Sequence, residues 1–324
     1  MTRARRGTIA LVEEPQRTHL PLWREALTGV EYLQLKTRRV YYGFGVPRGN
    51  GAPVITVPGF LACDLYLLEM NLWLRRLGYK PWRSRIGYNA ECPEVLTQRL
   101  AKTVGRAYQK TGRKVHLVGH SLGGVLARAV AFLQPEQVAS VITLASPFRG
   151  VRINPLIARP LEHVRRRVIR HPVCTYDDCF SYSCNCTFLI VMGGRWPPHI
   201  QQTAVYTKHD GVVQWGTCIN NDPDTDVEVN GSHVGLAWNA DAYVVIAERL
   251  AQAERALAEP EESPLLQKYS KKTTRPKAPR TAASAGGAGR RKASRTRKSP
   301  QDKPGTRSRS PRKRGSRPRS TSRG

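Results

Sequence analysis

The sequence lacks the features of several protein classes. No stretch of its 324 residues approaches the roughly 20 apolar residues that a membrane span needs, so we expect no integral span. The N-terminus is basic, but the apolar run over residues 9–12 is short and meets Glu13 at once, which argues against a cleaved signal peptide. We therefore expect a soluble, cytoplasmic protein, with peripheral membrane attachment and secretion left open.

The end of the chain has few apolar and almost no acidic residues. From Lys268 onward the only aromatic residue is Tyr269, and 21 Lys and Arg stand against one acidic residue, Asp302. This segment carries +20 of the formal net charge of +29, and such a composition cannot fold alone. We predict a disordered tail over residues 259–324. Residues 268–324 would bind polyanions or an anionic membrane surface in a salt-sensitive way, unless the tail is only a solubilising extension.

One stretch in the remaining chain predicts a catalytic nucleophile. Residues 115–124 read V-H-L-V-G-H-S-L-G-G, an apolar β-type run that turns at G-x-S-x-G and continues as a helical pattern. Glycines beside Ser121 let a strand and a helix approach closely at a strained turn, so that the hydroxyl projects from the carboxyl edge of a sheet. The pattern is typical of a nucleophile elbow; the alternative is a tight turn with a surface serine.

Strand-like and helix-like stretches alternate around this elbow. Apolar, β-branched runs predict strands, and amphipathic runs predict helices between them; the strands are 53–58, 81–86 and 138–144, and the helices are 64–77, 93–108 and 241–257. Steady alternation indicates a mostly parallel sheet with helices on both faces, that is, an α/β fold.

The N-terminal part has its own helical pattern. Trp23, Leu27, Val30 and Leu33 recur at i, i+4, i+7 and i+10, which predicts a helix over 21–33. We expect this stripe to pack on its own domain, with a peripheral membrane role as the alternative. Residues 40–44 are expected to form a first strand. The predicted organisation is an N-terminal segment over 1–50, a core domain over 51–258 and the tail over 259–324.

Three motifs together resemble a known superfamily. P-G-F at 58–60, V-G-H-S-L-G-G at 118–124 and T-L-A-S-P at 143–147 are similar to the α/β-hydrolases, in the esterase and triacylglycerol-lipase-like branch, over about residues 53–250. The resemblance implies a Ser…Asp…His order along the chain. It assigns the acid to Asp210, 89 residues after Ser121, and the base to His233, 23 residues further on. Alternative acids lie in the loop before the last strand: Asp222, Asp224 and Asp226.

The same resemblance assigns the oxyanion groups and the chemistry. Backbone N–H groups of Phe60 and Leu122 would stabilise the oxyanion, with Leu61 as the alternative to Phe60. We expect hydrolysis of lipid or acyl esters through an acyl-enzyme, without cofactor or metal. The alternatives are an acyltransferase or thioesterase with the same triad, or a polyanion-binding protein that works through its basic tail.

An insertion over about 150–202 departs from the strand and helix rhythm. In the resembled family a cap over the acyl pocket sits here. Leu156, Leu161, Val164 and Val168 are expected to form one apolar helical face. Five cysteines lie in or after the insertion, and disulfides, free thiols and a zinc site all remain open for them: Cys174, Cys179, Cys184, Cys186 and Cys218.

Overall fold

A six-stranded parallel sheet forms the centre of the computed structural model, which describes residues 16–17, 21–150, 152–169 and 186–258. The strands are β1 (Gln16–Arg17), β2 (Pro53–Val57), β3 (Lys80–Arg83), β4 (Val115–His120), β5 (Val138–Leu144), β6 (Arg152–Ile153), β7 (Gln201–Tyr206) and β8 (Asp226–Glu228). The sheet order is β3-β2-β4-β5-β7-β8, and a separate parallel pair joins β1 to β6.

Helices cover both faces of the sheet, as the alternating pattern predicts. They are α1 (Thr28–Thr37), α2 (Leu68–Leu77), α3 (Pro93–Thr111), α4 (Leu122–Leu133), α5 (Pro155–Ile169), α6 (Thr187–Met192) and α7 (Ala240–Ala258). Every residue of β2, β4 and β5 is buried, because central parallel strands are covered on both sides. Residues of α3 and α4 pack on one face, and residues of α1, α2 and α7 pack on the other. The predicted architecture, a parallel sheet with helices on both faces, is therefore confirmed.

Two expectations about the N-terminal part are wrong. Residues 40–44 contain a 3₁₀ helix, Arg39–Tyr42, in which the Val40 carbonyl accepts a hydrogen bond from the Trp73 indole at 2.8 Å, so this segment packs on α2 and does not pair with the sheet. The apolar stripe faces solvent: Trp23 is 68% exposed and Leu33 is 65% exposed.

The geometry of the helical segment explains the exposed stripe. The segment begins as a 3₁₀ helix, Leu22–Leu27, and continues as α1, so the side chains rotate differently from those of one continuous α-helix. The buried positions of α1 are Glu31 and Leu35. A buried glutamate beside exposed apolar side chains is the reverse of the usual arrangement. The groups that donate hydrogen bonds to Glu31 lie at the candidate site.

The predicted cap region is only partly described. Within α5, Val164 and Val168 are buried and Leu161 is partly buried, but Leu156 is 58% exposed, so the expected four-residue apolar face is wrong at that position. Cys186 and Cys218 are buried. Cys174, Cys179 and Cys184 lie outside the described residues, so the state of the cysteine group stays a prediction.

The chain divides into two units, Met1–Glu261 and Glu262–Gly324. The predicted tail lies outside the described residues, and the boundaries expected at 50 and 258 stay predictions. Across the described ranges, no helix combines the length and the apolar character that crossing a membrane requires.

Candidate active site

Ser121 lies at a strained turn between β4 and α4. Its backbone angles are φ +51° and ψ −127°, a region that non-glycine residues rarely adopt. The Ser121 N–H donates to the Leu144 carbonyl at 2.8 Å, which anchors the turn to β5. The side chain therefore projects at the carboxyl edge of the central strands, as the sequence predicts for an elbow.

The glycines of the motif are required by close packing. A Cβ at Gly119 would lie 2.4 Å from the Gly124 Cα, and a Cβ at Gly123 would lie 2.3 Å from the Val57 carbonyl oxygen. A Cβ at Gly124 would lie 2.0 Å from the Ser146 hydroxyl. Real Cβ contacts are not this short, so β4, α4 and the end of β2 approach as closely as they do only because these positions carry no side chain.

Ser121, His233 and Asp210 form a continuous hydrogen-bonded chain. The Ser121 Oγ lies 3.0 Å from His233 Nε2, and His233 Nδ1 lies 2.7 Å from Asp210 Oδ2. Because a carboxylate only accepts hydrogen bonds, Nδ1 carries the proton and Nε2 is free to accept the one from the serine hydroxyl. His233 and Asp210 are each 3% exposed. Ser121 and His233 are 112 positions apart in the sequence, and Asp210 and His233 are 23 positions apart. The fold brings all three together, with the Ser…Asp…His order along the chain that the resemblance implies.

A turn after β7 holds the Asp210 carboxylate. Its Oδ1 accepts hydrogen bonds from the Val212 and Val213 N–H groups, both at 2.8 Å, and its other oxygen faces His233. The alternative acid Asp226 instead accepts from the Asn220 and Asp222 N–H groups at 2.8 and 2.9 Å. The structure thus brings Asp210, and not Asp226, to the histidine.

The environment of His233 favours its protonated form. Burial lowers the pKa of His233, but the charge of Asp210, the hydrogen bond to it and the charge of Glu25 together raise that pKa above its ordinary value of 6.5. An imidazolium at this position is therefore stabilised by nearby negative charge, which a base needs when it takes a proton from serine.

His120, the residue before Ser121, contacts His233 from the other side. Its Nε2 donates to the His233 carbonyl at 2.9 Å, and its ring centroid lies 5.1 Å from that of His233. Burial and the neighbouring His233 lower the pKa of His120 to about 3, against a smaller opposing effect of the backbone hydrogen bond. His120 is therefore neutral at pH 7 and acts as a hydrogen-bond donor to the backbone of His233.

The loop after β2 lies against the elbow. A Cβ at Gly59 would lie 3.1 Å from the Ser121 Cβ. Within the described part of the chain, the Phe60 and Leu122 backbone N–H groups have no hydrogen-bond partner, whereas the Leu61 N–H donates to the Asn89 carbonyl at 2.9 Å. Leu61, the alternative donor, is therefore already engaged, and Phe60 and Leu122 stay the predicted donors.

Sequence reasoning missed several residues of the site. Glu25 and Glu31 accept hydrogen bonds from the loop that carries His233, and Asn89 binds the loop after β2 through its backbone and through a side-chain bond of 2.8 Å to the Pro58 carbonyl. No local signal marks them, because each contact joins segments far apart in sequence. No group of His, Cys, Asp and Glu that could hold a metal occurs in the ranges that the structure describes.

Comparison with known proteins shows local similarity to a family model and to two lipases. A family model described as a PGAP1-like alpha/beta domain matches residues 94–169. The chain is 34% identical over 107 residues to a triacylglycerol lipase of Pseudarthrobacter phenanthrenivorans, covering 30% of this chain and 34% of that protein. It is also 34% identical over 107 residues to a triacylglycerol lipase of Burkholderia plantarii, covering 30% of each chain.

The matched segment thus spans about a third of the length of these curated relatives. Among solved structures, the chain is similar to a monoacylglycerol lipase of Paleococcus ferrophilus, with 16% identity and a TM-score of 0.43 over 65% of this chain and 97% of that one.

Proposed function

We propose that this chain, an α/β-hydrolase that resembles esterases and lipases, hydrolyses carboxylic esters of lipid or acyl substrates through an acyl-enzyme on Ser121. The observation that carries the proposal is the unbroken chain of hydrogen bonds from Ser121 Oγ through His233 to Asp210, with distances of 3.0 and 2.7 Å. Serine hydroxyls do not attack esters unaided, and a buried base with its own carboxylate is the arrangement that activates them.

The mechanism assigns one task to each side chain. The Ser121 oxygen attacks the ester carbonyl while His233 Nε2 takes the hydroxyl proton, and Asp210 stabilises the resulting imidazolium. The tetrahedral intermediate collapses when the C–O bond to the alcohol breaks and the same proton passes to the leaving alkoxide. Water then attacks the acyl-enzyme carbonyl while His233 takes a proton from it. The bond from the acyl carbon to Ser121 Oγ breaks, His233 returns the proton to Ser121 Oγ, and the carboxylic acid is released.

The negative charge of each intermediate would be met by backbone donors. The proposed donors are the N–H groups of Phe60, in the loop after β2, and of Leu122, the first residue of α4. Preorganised donors of this kind contribute about 3 to 4 kcal/mol each to stabilisation of the transition state. The Asn89 contacts and the close approach at Gly59 keep the first of these loops against the elbow.

Exposed apolar side chains favour a lipid-type ester. Leu61, Leu65 and Leu68 follow β2 and are 39% to 63% exposed, and the Trp23 and Leu27 side chains are exposed on the segment that contacts the His233 loop. Exposed apolar side chains near a site are typical of sites that receive apolar ligands. The curated relatives are named triacylglycerol lipases, which supports the same substrate class.

The test is a chain-length series of p-nitrophenyl esters on the purified full chain. We expect turnover that Ser121→Ala abolishes, and losses nearly as large from Asp210→Asn and His233→Ala, because the three residues act as a unit. Unchanged turnover in Ser121→Ala would refute the mechanism, even if the Asp210 or His233 variant lost activity. Acyl-CoA thioesters and added acceptor alcohols in the same assay separate the thioesterase and acyltransferase alternatives.

The basic tail has a separate proposed role. With a charge of +20 from Lys268 onward, it would attach the enzyme to polyanions or to anionic membrane surfaces and contribute nothing to the chemical step. The support for this role is the net charge that the sequence carries from Lys268 onward.

A further inference from the structure

Two carboxylates from the N-terminal helical segment bind the loop that carries the catalytic histidine. Glu25 Oε1 accepts from the His233 N–H at 2.9 Å, and Glu25 Oε2 accepts from the Val234 N–H at 2.8 Å. Glu31 accepts from the Ser232 N–H at 2.7 Å and from the Ser232 hydroxyl at 2.6 Å. Three consecutive backbone donors of this loop thus go to side chains about 200 positions earlier in the chain.

Glu25 also binds the loop of the catalytic acid. Its Oε1 accepts from the Gly211 N–H at 3.1 Å, and Gly211 directly follows Asp210. One carboxylate oxygen therefore joins the backbone beside Asp210 to the backbone of His233 itself. Charge-assisted hydrogen bonds of this kind are stronger than neutral ones, so the link is stiff as well as short.

Three glycines leave the space that these carboxylates occupy. A Cβ at Gly211 would lie 3.0 Å from Glu25 Oε1, and a Cβ at Gly235 would lie 1.6 Å from Glu31 Oε2. A Cβ at Gly231 would lie 2.7 Å from Glu31 Oε1. The two loops are thus shaped around the glutamates, which an incidental surface contact would not require.

The backbone of His233 is held on both sides. Glu25 accepts from its N–H, and His120, the neighbour of the nucleophile, donates to its carbonyl at 2.9 Å. The Glu25 contacts are the ones that hold the His233 and Val234 N–H groups, whereas Glu31 holds the Ser232 N–H and Tyr66 donates to the Val234 carbonyl at 3.0 Å. The reacting nitrogen must stay close to Ser121 Oγ, and misplacement by about 1 Å can cost about 100-fold in rate.

We infer that Glu25 is a positioning residue: its carboxylate ties the Asp210 loop to the His233 loop and holds the imidazole at hydrogen-bond distance from Ser121. This role rests on the proposed function. Glu31 supports it by anchoring Ser232 next to the histidine. The N-terminal segment, which lies outside the region matched by the family model, is thereby part of the catalytic arrangement.

Two substitutions separate the position of the carboxylate from its charge. Glu25→Gln keeps the length of the side chain but removes the charge and turns an N–H donor toward another N–H. Glu25→Asp keeps the charge but is one methylene too short to reach both loops. We expect kcat on a short soluble ester to fall about 10- to 100-fold in both variants, with KM unchanged.

The pH profile adds a readout that a merely structural role would not change. The groups that face His233 are Asp210, Glu25, His120 and Tyr66, with Glu31 behind Ser232. Because Glu25 helps to raise the pKa of His233, Glu25→Gln should move the acid limb of kcat/KM to lower pH. Glu25→Asp retains the charge and should leave that limb near its wild-type midpoint.

The matched control is Glu69→Gln. Glu69 binds Lys36 of α1 at 2.9 Å and Tyr41 at 2.5 Å, so it anchors the same N-terminal region without touching the triad loops. We expect its kcat to stay within about twofold of wild type. A loss in Glu69→Gln as large as that in Glu25→Gln would mean that general loosening of the segment, and not the Glu25 contacts, explains the effect.

A measurement without substrate keeps the two proposals separate. The proton on His233 Nδ1 should give a low-field NMR resonance in the full chain, and it should shift or disappear in both Glu25 variants but not in Glu69→Gln. Glu25→Asp carries the test if Glu25→Gln does not fold. An unchanged resonance and an unchanged kcat in folded Glu25 variants would overturn the inference, as would a rise in KM alone. A wild-type chain that hydrolyses no ester would instead overturn the proposed function.

Discussion

Gly123→Ala should damage both stability and activity because of what surrounds this one glycine. Its Cβ would lie 2.3 Å from the Val57 carbonyl oxygen and 2.4 Å from the Pro58 carbonyl oxygen. Both are backbone atoms at the end of β2, so no side chain can rotate away, and α4 must shift relative to the strand. Overpacking of this kind costs about 1 to 3 kcal/mol. For a domain of this size, that corresponds to a fall in Tm of about 2 to 12 °C.

The same shift would move catalytic groups. Val57 and Pro58 lead into the loop of Phe60, and Leu122 adjoins Gly123, so the two proposed oxyanion donors would separate. We expect kcat on a soluble ester to fall about 10- to 100-fold at a temperature where the variant is still folded.

Gly105→Ala provides the control with the opposite sign. Gly105 lies within α3, and its Cβ would meet only the Gln137 side chain at an ordinary 3.6 Å. Alanine in a helix interior is more stable than glycine by about 0.5 to 1 kcal/mol, so Tm should rise by a few degrees and kcat should not change. Thermal unfolding and initial rates measure both effects. A Gly123→Ala variant with wild-type Tm and kcat would refute the close-packing argument.

Three further predictions concern the base, the surface and the tail. Since catalysis needs neutral His233 and its pKa is raised above 6.5, kcat/KM should fall as pH drops through a midpoint above that value; a pH–rate profile with a lower midpoint would contradict this. Leu27→Ser should reduce hydrolysis of a vesicle-dispersed ester more than hydrolysis of a soluble one. Equal reductions would mean that the exposed apolar side chains play no part in binding a lipid substrate. Truncation after about Pro260 should leave kcat unchanged and lower retention on heparin at low salt; tight retention would place the basic site elsewhere.

The parts of the fold that could be predicted are those encoded in contiguous residues. The strand that ends at Ser121 and the helix that follows it are visible because hydrophobic periodicity changes at G-x-S-x-G. The positions of Asp210 and His233 followed from the resemblance and from their places after strands, and the structure brings both to the serine. Local pattern therefore predicted the Ser121 elbow, and the family resemblance predicted its partners Asp210 and His233.

The remainder depends on contacts between distant segments. An amphipathic stripe indicates that a helix has two faces, but it does not say that Glu31 is buried and Trp23 is exposed. Burial of the glutamate is compensated by hydrogen bonds from Ser232, 201 positions away, which no pattern near Glu31 reveals. The same holds for Glu25, whose partners in the His233 loop are 208 and 209 positions away.

The most direct test of the proposed mechanism is to label the full chain with a fluorophosphonate and locate the modified residue by peptide mass spectrometry. We expect one adduct, on Ser121, and no labelling of the Ser121→Ala variant, because the Ser121 hydroxyl is hydrogen-bonded to the His233–Asp210 pair at the carboxyl edge of the sheet. The Ser140 hydroxyl also contacts a histidine that is paired with a carboxylate, His116 with Glu254, but Ser140 is buried within β5. An adduct on a different residue, or labelling of Ser121→Ala at the wild-type rate, would contradict the proposed mechanism.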